Sequence, residues 1–136
     1  MGMYTEFVCA VKLEKNVDEN VVVILDSMVN NRNWELTQNI IDENFEDEEF
    51  FKCDRWKWLF TSDSYYFNGI TNTIFKLDDI SKTYFLTIRS NLKNYDGEID
   101  KFLKWIKPYI TRYDDFIGYK QYEEIDEPDL IYISKI

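Results

Sequence analysis

The stretch Glu6-Phe7-Val8-Cys9-Ala10-Val11-Lys12-Leu13-Glu14 decides how the chain is read. Phe7, Cys9, Val11 and Leu13 alternate with the residues between them, the period of a half-buried strand. The period then changes. Val21, Ile24, Leu25, Met28 and Val29 fall three, one, three and one residues apart, which makes one apolar helix face. Asn16, with Glu19 three residues on, predicts the N-cap and its capping box. The run Asn30-Asn31-Arg32-Asn33 predicts the stop. A strand followed at once by an amphipathic helix points to a mixed α and β domain.

Outward from there the signals vary in strength. Residues 34–53 are read as an irregular or short helical connector held by Phe45, Phe50 and Phe51. Trp56, Trp58 and Phe60 alternate with Lys57, Leu59 and Thr61, predicting a strand. Asn68-Gly69 behind Tyr65-Tyr66-Phe67 predicts a hairpin, with a return strand over 70–77 and a third strand around Tyr84, Leu86 and Ile88. Asn94 or Asp96 is expected to cap a second helix with the stripe Ile99, Phe102, Leu103, Ile106 and Ile110, ended near Pro108. Strands are expected over 116–122 and 130–136. The order β-α-β-β-β-α-β-β predicts an α+β fold of ferredoxin-like sandwich type. Its mainly antiparallel sheet has five to six strands, with two helices on one face.

Length and composition bound the function. The 136 residues suit one acidic domain, and 45% hydrophobic residues with 18% aromatics supply a core. Sixteen basic against 26 acidic residues give a formal charge of −10, which repels phosphates and disfavours direct nucleic-acid binding. No signal-peptide pattern and no membrane-length apolar run is seen, and Cys9 and Cys53 are expected to be buried free thiols. A cytoplasmic location and no membrane partner follow as expectations.

Histidine is absent, so Ser-His-Asp and Cys-His catalysis have no base within the chain. Two isolated cysteines complete no ordinary zinc site. The four glycines form no phosphate loop. Asp42, Asn44 and Glu46 copy the start of a calcium loop, but Asp47 stands where glycine is needed and Cys53 where glutamate is needed. No cofactor is expected.

Two acidic clusters remain as candidate contact surfaces. One is Asp42, Glu43, Glu46, Asp47, Glu48 and Glu49; the other, at 123–129, includes Glu123 and Glu124. Tyr65 and Tyr66 are the aromatics expected beside them, since carboxylates next to aromatic rings recognise Arg and Lys. This predicts a protein-binding domain of immunity or inhibitor type with a basic protein partner. The alternative is a small carboxylate hydrolase, with or without magnesium, using Asp54, Arg55, Asp63 and Arg89. An open sheet face lined by aromatics such as Trp58 would be covered most simply by a second copy, a homodimer.

Met3-Tyr4-Thr5-Glu6-Phe7, Asp54-Arg55-Trp56, Asp63-Ser64-Tyr65-Tyr66-Phe67 and Asn91-Leu92-Lys93-Asn94-Tyr95 together resemble a group of small acidic bacterial proteins of unknown function. The resemblance spans most of the chain. It implies a shared fold and carries no activity or site residues.

Overall fold

The computed structural model describes residues 3–64 and 66–136. Among them β1 (Thr5–Lys12) is followed by α1 (Glu19–Asn30) and α2 (Trp34–Asn44). Then come β2 (Ile74–Asp78), β3 (Thr83–Leu92), α3 (Glu98–Ile106), β4 (Phe116–Tyr122) and β5 (Asp129–Tyr132). The class is α+β, with a five-stranded sheet in the order β2-β3-β1-β4-β5 and every neighbouring pair antiparallel. Three α-helices stand where two were expected.

The alternation in β1 does what its period requires. Phe7 lies opposite Ser90 and Lys120, and Cys9 opposite Ile88 and Gly118. Phe7, Cys9 and Val11 therefore share a face with Leu86 and Ile88, and that face is buried with Val21, Ile24, Leu25 and Met28 of α1 and Phe102 and Ile106 of α3. Phe102 meets Phe7 edge-on, with ring centroids 6.4 Å apart. Both cysteines are buried and unpaired. No helix among the described residues is long and apolar enough to cross a membrane.

α1 starts two residues later than its expected capping box. Asn16 adopts a left-handed φ of 65°, and the Val17 N–H returns to the Glu14 carbonyl, so these residues form the turn out of β1. Asp18 becomes the cap, its carboxylate accepting the Asn20 N–H at 2.9 Å. The stop falls as read: Asn31 is left-handed and its N–H closes on the Ser27 carbonyl.

Residues 34–44, within the stretch expected to be an irregular or short helical connector, form a full helix of about three turns. Thr37, Ile40 and Ile41 are its buried positions, and Thr37 hydrogen-bonds Ser27 of α1 through their hydroxyls. A polar residue at the centre of the inward stripe hid the helical period.

The strand expected over Trp56–Phe60 and the Asn68-Gly69 hairpin are both overturned. Trp56, Leu59 and Phe60 are buried, three and one residues apart, so the segment runs as short 3-10 turns at Glu49–Lys52 and Trp56–Trp58. Those turns fold Phe50 and Phe51 against Trp105 of α3, with Phe50 also on Phe102 and Trp56 packed behind both phenylalanines; the Phe51 and Trp105 centroids are 4.9 Å apart. Residues 66–73 then form a strap over the sheet, tied by the Thr71 hydroxyl to the Ser62 carbonyl and the Thr73 hydroxyl to the Phe60 carbonyl. The actual hairpin is β2–β3, whose turn is held by the Asp78 carboxylate accepting from Ile80 and Ser81.

The N-cap of α3 is left-handed Gly97 rather than Asn94 or Asp96, although the Asn94 side-chain oxygen reaches forward to accept the Ile99 N–H at 3.0 Å. Pro108 ends it, leaving one 3-10 turn at Lys107–Tyr109. β4 matches its expected bounds, whereas the last strand stops at Tyr132 and turns into a 3-10 segment.

Candidate functional site

Three regions bear on function. The first is the sheet face opposite the helices. Glu6, Val8, Ala10 and Lys12 of β1 point there, beside Phe85, Thr87, Arg89 and Asn91 of β3. The strap covers one end of it. Asn91 donates to the Gly69 carbonyl, and the Tyr66 hydroxyl donates to the Glu123 carbonyl at 2.7 Å, across the sheet. Under this cover Glu6 is 7% exposed. Its carboxylate accepts from Arg89 at 2.6 Å and from the Tyr119 hydroxyl at 2.9 Å. Burial and the bond to Glu6 raise the Tyr119 pKa, with Arg89 opposing. The uncovered end is a shallow groove of about 540 Å³ between Ala10, Phe85, Thr87 and Phe116. Trp58 is not on this face. It stacks edge-on with Trp34, centroids 6.1 Å apart, so the expected aromatic lining of the open face is replaced by Phe85 and Phe116.

The second region is a cleft of about 280 Å³ at the start of α3, between the 55–63 segment and the end of β3. Arg55, Asp63, Lys93 and Glu98 bring charge to it, and Tyr4 and Trp58 bring aromatic surface. Glu98 is 1% exposed. One of its oxygens accepts the Asp96 N–H at 3.3 Å, and the other has no partner among the described residues. Desolvation raises its pKa, opposed by backbone N–H groups and by Arg55.

The third region is the acidic surface. Asp42 and Glu43 end α2, and Glu46, Asp47 and Glu48 follow it; all are exposed, with Phe45 and Phe50 turned inward between and after them. Glu49 pairs with Lys52 at 3.3 Å. Glu123 is half-buried where Tyr66 meets it, and Glu124 is exposed. Ile125 and Leu130, both exposed, flank the second acidic loop.

Placement of the sequence-read residues follows directly. Arg55 and Asp63 share the cleft. Arg89 belongs to the buried network beneath the strap, and Asp54 is exposed outside the cleft lining, so the four residues of the hydrolase reading do not converge. Tyr66 reaches the second acidic loop, while Tyr65 lies outside the described residues. No cluster of three or more acidic or cysteine ligands able to hold a metal occurs among the described residues. Sequence reasoning missed Lys93 and Glu98. An acid in the first turn of a helix is ordinary dipole chemistry, and nothing local marks Glu98 as buried.

Comparison with known proteins gives no match: no protein family fits the sequence, and neither a curated protein nor a solved structure is significantly similar to it.

Proposed function

We propose that the chain is a binding protein of immunity or inhibitor type, whose acidic surface around residues 42–48 engages a basic protein. The observation that carries this reading is the lack of compensation there. The four ion pairs among the described residues use Asp26, Glu49, Glu6 and Asp100, and none uses Asp42, Glu43, Glu46, Asp47 or Glu48. Asp42 and Glu43 also sit at the C-terminal end of α2, where the helix dipole disfavours negative charge. Acids placed against local stability fit an external counter-charge. Complementary charge of this kind speeds association and makes it salt-dependent.

The fold reading goes with it. Without β5 the strand order is β2-β3-β1-β4, with helices joining β1 to β2 and β3 to β4. This order and these crossovers support the reading of a ferredoxin-like sandwich, with one added edge strand and the added helix α2. Two buried free thiols suit a cytoplasmic setting.

The test is capture from a lysate of the chain's own host on the immobilised protein, run beside a variant with Asp42, Glu43, Glu46, Asp47 and Glu48 changed to their amides. A basic protein held at low salt by the parent, released at high salt and not held by the variant supports the reading. Equal capture by both, or none by the parent, overturns it.

A further inference from the structure

The cleft at the start of α3 carries an inference independent of the acidic surface. In a chain of formal charge −10 it gathers two cations, Arg55 and Lys93, and neither has a carboxylate within salt-bridge distance among the described residues. The Lys93 ammonium lies 5.7 Å from the centre of the Tyr4 ring, on the same wall. Trp58, 47% exposed, offers a second ring, and Leu59 and Leu92 line the cleft between these groups.

Asp63 offsets part of this charge, but its Oδ1 is turned to the strap, accepting the Ser64 N–H at 2.9 Å and the Thr71 hydroxyl at 3.2 Å. Glu98 is placed differently. It is buried, with 1% of its surface exposed, and its Oε2 has no partner among the described residues. A buried polar atom left unpaired is costly, and a ligand atom is the partner that would explain its retention.

We infer that this cleft binds a small aromatic carboxylate, with its ring against Trp58 and Tyr4, its carboxylate between Arg55 and Lys93, and the Glu98 carboxyl hydrogen-bonded to a ligand oxygen. Two carboxyl groups can meet in this way only if one holds a proton. Burial favours the protonated form of Glu98, and the nearby Asp96 charge favours it further, while the backbone N–H groups around it and the Arg55 guanidinium act against it. A cationic ligand would instead meet Arg55 and Lys93, with only Asp63 to offset them once Glu98 is protonated. A single ring with a short acidic arm suits about 280 Å³.

Nuclear magnetic resonance titration of the isotope-labelled full chain tests this, with sodium benzoate as probe and benzylamine as the same ring carrying the opposite charge. The expected result is saturable shifts from benzoate at the Trp58 indole and the Leu92 and Lys93 amides. Affinity should fall about tenfold in Arg55→Gln and in Lys93→Gln. Both substitutions remove charge from outward-facing side chains, and the dispersion of the spectrum verifies that each variant is folded. Benzylamine binding as well as benzoate, no saturable shift from benzoate, or undiminished benzoate binding in both variants would each overturn the inference.

Discussion

The Arg89 guanidinium lies 2.6 Å from the Glu6 carboxylate, and Gly69 of the strap rests directly on it, so that a Cβ there would fall 1.5 Å from Arg89 Nη2. Strap, ion pair and sheet are thus one packed unit. Glu6 is the acceptor that both Arg89 and Tyr119 need. Glu6→Ala should therefore cost more than the loss of one surface pair, about 2–4 kcal/mol, because it strands two donors under the strap. Urea unfolding of Glu6→Ala, Arg89→Ala and the double variant reads this directly. The double variant should be less destabilised than the sum of the single ones.

Gly118 makes the sharper steric prediction. A Cβ at this position would sit 2.0 Å from the Val8 carbonyl oxygen, inside the β1–β4 pairing. Backbone offers no flexible end to move aside. Gly118→Ala should destabilise by about 3 kcal/mol or more, seen as a large fall in thermal midpoint.

The link between α1 and α2 predicts an asymmetry. The Ser27 hydroxyl donates to the Val23 carbonyl at 2.9 Å, which leaves Thr37 as donor in the Ser27–Thr37 bond. Thr37→Val removes that donor with its shape conserved, and Ser27 keeps its own acceptor; the cost should be about 1 kcal/mol. Ser27→Val also leaves the buried Thr37 hydroxyl without its partner and should cost more. Chemical denaturation of the two variants side by side decides the order.

Alkaline pH should weaken the fold in a defined way. Burial pushes the Cys9 thiol from about 9.0 up to about 12. A raised folded pKa favours the neutral form, so this contribution is complete below the unfolded value and is lost as pH rises through the interval. The slope is roughly 1.4 kcal/mol per pH unit while the unfolded thiol is ionised and the folded one is not. Tyr119 and Tyr109, also raised by burial, add to it at higher pH. Cys9→Ala should lower stability at neutral pH through the cavity it leaves. Its urea midpoint should then fall less steeply than the parent's just above pH 9.

Glu98 acts with the same sign in another window. Desolvation raises its pKa above 4.5, so its effect on stability is most favourable at acid pH and declines as pH rises through the folded value. Glu98→Gln should therefore raise the urea midpoint near pH 7 and change it less near pH 4. If the gain were equal at both values, ionisation of Glu98 would not be the cause.

Much of the fold was legible wherever burial kept one period. Phe7 to Leu13, the α1 stripe, the α3 stripe and Phe116–Tyr122 all did so, and the elements lie where they were read. The failures have physical causes. α2 was obscured because Thr37, satisfied by Ser27, occupies a core position that pattern reading reserves for apolar residues. Residues 56–60 looked like a strand because Trp56, Trp58 and Phe60 are large and alternate. In the fold, however, Trp58 faces outward and Leu59 inward, a helical spacing set by Trp56 packing on Phe50 and Phe51 and Phe60 on Phe102. Asn68-Gly69 carries a strong local turn signal, yet its flanks are held by the sheet and by Glu123 rather than by each other. The cleft was half legible. Arg55 and Asp63 were singled out by charge near strand-like ends, while Lys93 and Glu98 are brought there only by the tertiary path of β3 into α3.

The central place of β1 has a consequence for how the chain reaches this state. Its hydrogen-bonding partners begin with Thr5 opposite Leu92 and Tyr122, so the first strand made has both neighbours far away along the chain. During synthesis α1, α2 and the β2 residues emerge with no completed sheet to pack on, and closure of these long loops precedes their reward. The acids around residues 42–49 then flank Phe45, Phe50 and Phe51, which stay uncovered until α3 emerges, and their mutual repulsion between chains would hold nascent molecules apart until then.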